Sequence, residues 1–217
     1  MLFGKIEYLN LLPFHVFMKR YTRSSWQKMS MEYKKDVPAK INHAFINRRV
    51  NAAFISSIRG KGKNHVDLGI IARDRVLSVL VTPNDKYKSD KESETSNLLA
   101  RVLNLSGEVL IGDKALRYYL SGDEHIDMAY EWKKKHNLPF VFALFCFHQN
   151  RAYYKKIERE FLKTKVKIPQ YILKNASKKV QVKPQEALKY LEHISYKLDE
   201  KAKRGLKKFY IEAKKVR

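Results

Sequence analysis

Polar side chains that could hold a ligand recur where short apolar runs begin or end. Asn10 follows the alternating run from Phe3 to Tyr8 and precedes the apolar residues of a predicted helix, and Ser78 lies inside the apolar run 76–81. An amide at such a junction caps the helix, or it faces a cleft at the carboxyl end of the strand, where α/β proteins bind ligands. A buried serine needs a partner, which the core or a ligand can supply. The pattern alone leaves both alternatives open.

Hydroxyl groups form two further clusters. Ser56 and Ser57 end a short buried run, as strand-end turn residues or as groups that reach a ligand carboxylate. Ser93, Thr95 and Ser96 stand where a helix starts. They cap that helix, or they form an anion site together with its free backbone N–H groups.

The remaining candidate side chains favour neither metal nor thiol chemistry. Asp113 follows a predicted strand and opens a helix, as an N-cap or as a carboxylate that faces the ligand. The seven histidines show no metal-ligand spacing. Cys146, the single cysteine, lies in an apolar run and is interpreted as an inert core thiol. No disulfide within the chain is possible.

Strands that alternate with helices predict an α/β fold with a mostly parallel sheet. A polar stretch over 82–92 separates two short βα series, and a long helical return fills the C-terminal part. The pattern predicts two lobes with a ligand cleft between them. We expect lobe I to comprise residues 1–82 and 141–217 and lobe II to comprise residues 83–140.

Composition and charge narrow the class of protein. The 217 residues carry 45 Lys and Arg against 22 Asp and Glu, a formal net charge of +23. The excess is spread over helices as a solvated basic face, so nucleic acid is the less favoured partner and an anionic small molecule is the better one. The first residues lack a secretory signal, and the longest apolar runs are too short to span a membrane. We therefore expect a cytoplasmic protein, either a monomer or a homodimer.

Several stretches together resemble one enzyme family, and they cover nearly the whole chain. They are Gly4–Pro13, Asn51–Ser57, Val76–Val79, Ser93–Ser96, Leu110–Arg117 and Leu138–Ala143, with Asp127, Trp132 and the tail from Tyr190 to Phe209. In order and spacing they resemble chorismate dehydratase, the first enzyme of the futalosine route to menaquinone. The segment between Ser96 and Gly112 is shorter than is usual in that family, which predicts a trimmed second lobe.

The resemblance implies a two-lobed, periplasmic-binding-protein-like type II fold. It also implies that chorismate binds between the lobes and loses water, giving 3-[(1-carboxyvinyl)oxy]benzoate without a metal or organic cofactor. Asn10 and Ser78 would be catalytic. The substrate-binding residues would be Ser56, Ser57, Ser93, Thr95, Ser96 and Asp113.

No His–Asp or Glu–Glu pair occupies the matched positions, so we expect positioning and electrostatics to carry the reaction, with a substrate carboxylate as the base. Three alternatives remain. The first is a non-catalytic anion- or small-molecule-binding protein of the same fold. The second is the later pathway enzyme with the same lobed fold, which forms a dihydroxynaphthoate. The third is a basic nucleic-acid-binding protein.

Overall fold

The computed structural model describes residues 2–22, 34–84 and 86–216, and its strands form two sheets. The strands are β1 (Phe3–Lys5), β2 (Lys34–Lys35), β3 (Ala52–Ser56), β4 (His65–Ala72), β5 (Val79–Thr82), β6 (Glu108–Ile111), β7 (Ile126–Asp127), β8 (Phe140–Phe147) and β9 (Ile194–Lys197). One sheet has six strands in the order β2-β1-β3-β8-β4-β9, and the other has three in the order β6-β5-β7.

Helices follow most of these strands. They are α1 (Leu12–Tyr21), α2 (Pro38–Ile46), α3 (Ser57–Gly60), α4 (Glu94–Val102), α5 (Gly112–Ser121), α6 (Met128–His136), α7 (Arg151–Lys163), α8 (Gln170–Val180), α9 (Pro184–Glu192) and α10 (Glu200–Lys215), with a 3-10 turn over Leu9–Leu11 before α1. Several starts follow local rules: Ser93 accepts a hydrogen bond from Ser96 N, and Pro38 and Pro184 occupy first turns.

The six-stranded sheet is mixed, so the prediction of a mostly parallel sheet is wrong. Strand β1 runs parallel to β2 and β3, but β8 lies antiparallel between β3 and β4, and β9 adds a further antiparallel edge. The chain leaves this sheet after β4 and returns as β8. The apolar run of β8 shows that the strand is buried on both faces, but it carries no information on direction.

The three-stranded sheet is antiparallel, with β5 between β6 and β7. The chain passes from the first sheet to the second over residues 73–78 and returns over 137–139. Strand β5, which the sequence analysis put in lobe I, pairs within the smaller sheet. The division at residues 82 and 140 stays a prediction.

The C-terminal return departs from the expected run of helices. Strand β9 interrupts it, and residues Ile194–Lys197 pair with the outer edge of β4. The predicted helical return therefore gives the wrong element over residues 194–197, because tertiary pairing overrides a short apolar period. The N-terminal strand is also shorter than the run Phe3 to Tyr8. The sequence also predicts a strand over residues 29–33, and these residues lie outside the described ranges.

Aromatic side chains form the centre of the core under the six-stranded sheet. The Phe14 ring lies edge-on to three others, with centroid distances of 5.0 Å to Phe54, 5.3 Å to Phe145 and 5.2 Å to Phe161. Such contacts add to the free energy of burial. They anchor α1 and α7 on the sheet and fix the strand ends that carry the polar residues. Within the described residues, every helix is too short or too polar to cross a bilayer.

Candidate active site

A cleft that is open to solvent lies between the two sheets. Phe54, Ile70 and Phe142 line it from the six-stranded sheet, and Val79 and Ile111 line it from the smaller one. Five of the eight side chains singled out from the sequence also line it, namely Asn10, Ser56, Ser78, Ser93 and Ser96. Apolar walls with a few convergent polar groups are typical of small-ligand pockets.

Asn10 lies in the 3-10 turn before α1, with its side chain at the cleft. Its Oδ1 is buried and accepts no hydrogen bond from any described residue. Its backbone carbonyl accepts a hydrogen bond of 2.6 Å from the Tyr196 hydroxyl on β9. This contact holds the Asn10 backbone, and the buried Asn10 Oδ1 remains as an acceptor for a ligand.

Ser78 immediately precedes β5 and is almost completely buried. Its Oγ accepts a hydrogen bond of 2.8 Å from the Tyr190 hydroxyl, and its carbonyl accepts one of 2.8 Å from Gly112 N. Because a serine hydroxyl can accept and donate at once, the Ser78 proton remains free for a ligand in the cleft.

The turn before Ser78 depends on a buried carboxylate. Asp127 Oδ2 accepts hydrogen bonds from Val76 N at 2.9 Å and Leu77 N at 2.8 Å, and Oδ1 accepts two more from the first turn of α6. Leu77 has a φ of +59°, a left-handed conformation that costs a leucine free energy. Burial raises the pKa of Asp127, and the four hydrogen bonds oppose that rise. Asp127 therefore caps α6, and the same carboxylate also orders the turn that presents Ser78.

Ser56 ends β3 at the cleft and is held by a residue that the sequence analysis missed. Asn42 Nδ2 on α2 donates to Ser56 Oγ at 3.0 Å, and Asn42 Oδ1 accepts from Ser56 N at 3.1 Å. This pair leaves the Ser56 hydroxyl proton available to a ligand oxygen. Asn42 is buried in α2, and its helical position among apolar residues gave no signal of this contact.

The N-terminus of α4 presents two hydroxyls to the cleft. Ser93 Oγ accepts from Ser96 N at 3.1 Å and donates to Ser96 Oγ at 2.8 Å, which leaves the Ser96 proton available. The capping and anion-binding interpretations of Ser93 are therefore compatible. Glu94 pairs with Arg59 of α3 and does not line the cleft, so its carboxylate is neutralised beside the site.

Ser57 and Thr95 meet each other and do not line the cleft. Their hydroxyl oxygens lie 3.5 Å apart, and Thr95 Oγ1 accepts a hydrogen bond of 3.2 Å from Ile58 N. Both residues are fully buried where α3 contacts α4. The contact between Ser57 and Thr95 joins α3 to α4 at the back of the cleft. Neither side chain lines the cleft, and the substrate-binding role of the two residues remains a prediction.

Asp113 also lies just behind the cleft wall. Its Oδ1 accepts a hydrogen bond of 3.1 Å from Leu9 N, and burial raises its pKa. Next to it, Tyr8 lines the cleft and donates from its hydroxyl to Glu92. Burial, followed by the Glu92 carboxylate, raises the pKa of Tyr8, so the phenol stays protonated. The sequence analysis missed Tyr8 as a site residue. Its large side chain at the end of the predicted strand was the available signal.

Helix N-termini, and not charged side chains, are the groups at the cleft wall that favour an anion. The described residues that line it include no Asp, Glu, His, Lys, Arg or Cys. Helices α2, α4 and α5 all begin at its wall, with Pro38, Ser93 and Gly112 among the lining residues. Helix N-termini favour anions. The site therefore suits a carboxylate-bearing ligand with an apolar ring. Over the described ranges, no cluster of three or more His, Cys, Asp or Glu could hold a metal.

The fold and the sequence both have known relatives. A crystal structure of a protein from Archaeoglobus fulgidus superposes with a TM-score of 0.74 at 14% identity, covering 98% of this chain and 96% of that one. A Candida albicans protein, described as having the generic periplasmic binding protein fold, superposes with a TM-score of 0.54 at 11% identity, covering 96% and 89%. The two sheets with a cleft between them thus define a protein of the periplasmic-binding-protein-like class.

The sequence comparisons are more specific. A family model described as menaquinone biosynthesis matches residues 104–215. The chorismate dehydratase of Campylobacter jejuni subsp. jejuni serotype O:23/36 (strain 81-176) is 47% identical over 213 residues, which is 96% of both chains. The chain belongs to the chorismate dehydratase family, and the resemblance noted in the sequence is confirmed.

Proposed function

We propose that this protein is a chorismate dehydratase that binds chorismate in the cleft and releases 3-[(1-carboxyvinyl)oxy]benzoate and water. The observation that carries the proposal is the cleft itself. It combines apolar walls, three helix N-termini and a buried acceptor beside a buried donor, Asn10 Oδ1 and the Ser78 hydroxyl. The 47% identity to a chorismate dehydratase over almost the whole chain supports the same activity.

The reaction needs no strong base from the protein. A proton leaves the ring carbon that bears the enolpyruvyl ether, the ring hydroxyl leaves, and the two depart as water while the ring becomes aromatic. No described residue that lines the cleft has an ordinary acid or base side chain, and Tyr8 is held protonated. We therefore assign the base to a carboxylate of the substrate. The protein supplies orientation and a fixed polar environment.

Asn10 and Ser78 are assigned to the reacting end of the ring. Asn10 Oδ1 accepts a hydrogen bond from the ring hydroxyl, and the Ser78 proton stabilises the oxygen as negative charge develops on it. Ser56 and Ser96 present free hydroxyl protons at the opposite walls and are assigned to the two carboxylates.

We also propose the pathway and the cellular location of the protein. We place the reaction in the futalosine route to menaquinone and the protein in the cytoplasm, because the resemblance of the motifs extends over nearly the whole chain. We also propose two lobes, with the cleft between them.

Mass spectrometry of the purified protein with chorismate tests the proposal. We expect a product lighter than chorismate by one water, and we expect Asn10→Ala to lose it while keeping the wild-type circular dichroism. Lys174→Ala on the exposed face of α8 is the matched surface control. A thermal shift with chorismate but no product would instead indicate a binding protein of this fold. Neither product nor shift, with salt-dependent binding to DNA or RNA, would favour the nucleic-acid alternative.

A further inference from the structure

Behind the cleft, a tyrosine hydroxyl contacts Ser78, one of the two residues assigned to the reacting end of the ring. Tyr190 lies on α9, in the C-terminal return, and is almost fully buried. Its hydroxyl donates to Ser78 Oγ at 2.8 Å. Tyr190 is not among the residues that line the cleft. It can therefore act on a ligand only through Ser78.

The direction of this hydrogen bond determines what Ser78 can offer to the cleft. A phenol has a single proton, and here Ser78 Oγ accepts it. Ser78, which already accepts, has its own proton left to donate. The orientation of the Ser78 hydroxyl at the cleft therefore follows from one proton on Tyr190.

We propose that Tyr190 is a positioning residue for the dehydration: its hydroxyl fixes the Ser78 proton toward the substrate. The inference rests on the proposed function, because its purpose is to orient a hydrogen-bond donor for chorismate. Without the Tyr190 hydroxyl, the Ser78 hydroxyl can rotate, so its proton faces the substrate for only part of the time. The apolar walls and helix N-termini that hold the substrate are unchanged.

Tyr190→Phe tests this inference, since it removes the hydroxyl and keeps the ring. We expect kcat to fall by about ten-fold, with KM and the calorimetric affinity for chorismate within about two-fold of the wild type. The matched control is Tyr118→Phe, which removes a tyrosine hydroxyl that donates to the Glu124 carbonyl at 3.2 Å on the exposed side of α5. It should leave both constants unchanged.

A kinetic double-mutant cycle separates positioning from a merely structural role. If Tyr190 acts through Ser78, then Y190F/S78A should have a kcat within about three-fold of S78A, although each single substitution is costly. Independent, multiplicative losses would contradict the inference, and so would an unchanged kcat in Y190F. A wild-type protein that makes no product from chorismate would overturn the proposed function together with the inference. An active wild type with an unaffected Y190F would overturn the inference alone.

Discussion

Replacement of Gly112 by alanine should destabilise the protein through a specific clash. Gly112 has a φ of +64°, and a Cβ there would lie 2.6, 2.7 and 3.0 Å from three carbons of the Tyr8 ring. The left-handed backbone costs an alanine about 1–2 kcal/mol, and the displaced ring adds an overpacking cost of about 1–3 kcal/mol. We expect the free energy of unfolding of Gly112→Ala to fall by about 2–5 kcal/mol.

Gly122 provides the matched control just beyond the other end of the same helix. It follows the last residue of α5 with a φ of +82°, and a Cβ there would meet no atom within 4 Å. Gly122→Ala should therefore show the backbone strain alone, about 1–2 kcal/mol. The difference between the two variants, about 1–3 kcal/mol, isolates the contact with Tyr8 and corresponds to several degrees in Tm for a chain of this length.

Urea denaturation of both variants measures this difference. Tyr8→Ala should cost less stability in the Gly112→Ala background than in the wild type, because the ring that clashes is gone. Gly112→Ala should also lower kcat/KM for chorismate, since Tyr8 lines the cleft and Gly112 N donates to the Ser78 carbonyl. Equal losses of stability in the two glycine variants would refute the close packing of Gly112 on Tyr8.

Three further predictions concern the cleft and its supports. Asn10→Ala and Ser78→Ala should each lower kcat by more than about ten-fold with Tm within a few degrees of the wild type, as steady-state kinetics and calorimetry can measure. Asp127→Asn should cost about 1–3 kcal/mol in urea denaturation, because the amide cannot accept all four backbone hydrogen bonds, and it should lower kcat through the turn before Ser78. Burial lowers the pKa of His15 from 6.5 to about 4, so the unfolded chain takes up this proton first as the pH falls. The stability that the neutral ring supplies is present above about pH 6.5 and is lost toward pH 4, and His15→Gln should lose about 2 kcal/mol less than the wild type between pH 7 and 4.

Local chemistry made the helix starts predictable. Ser93 caps α4 as expected, and Asp127 caps α6 in the same way, because a capping side chain and the N–H groups it satisfies lie within three residues of each other. Strand directions were not predictable in this way. The apolar sequence of β8 indicates a buried strand, but its antiparallel partners are residues 52–56 and 65–72, far away in the sequence.

The same contrast holds for the site. Asn10 and Ser56 were singled out because they stand at strand or helix ends, and Ser78 because it is a serine inside an apolar run; all three line one cleft. The sequence could not separate them from Ser57 and Thr95, which also stand at element ends but face each other. That distinction depends on how α3 meets α4. The supports Asn42 and Tyr190 were missed because their partners are 14 and 112 residues away.

The most direct test of the account is a proton NMR time course of chorismate with the wild-type protein and with Ser78→Ala. The account predicts that the ring-diene signals of chorismate disappear in the wild-type sample while aromatic signals of the enolpyruvyl ether of 3-hydroxybenzoate grow in equal amount. Ser78→Ala should show the same conversion more than about ten-fold more slowly. Chorismate that persists unchanged with the folded wild-type protein would contradict the central claim, and equal rates in the two samples would contradict the role of Ser78.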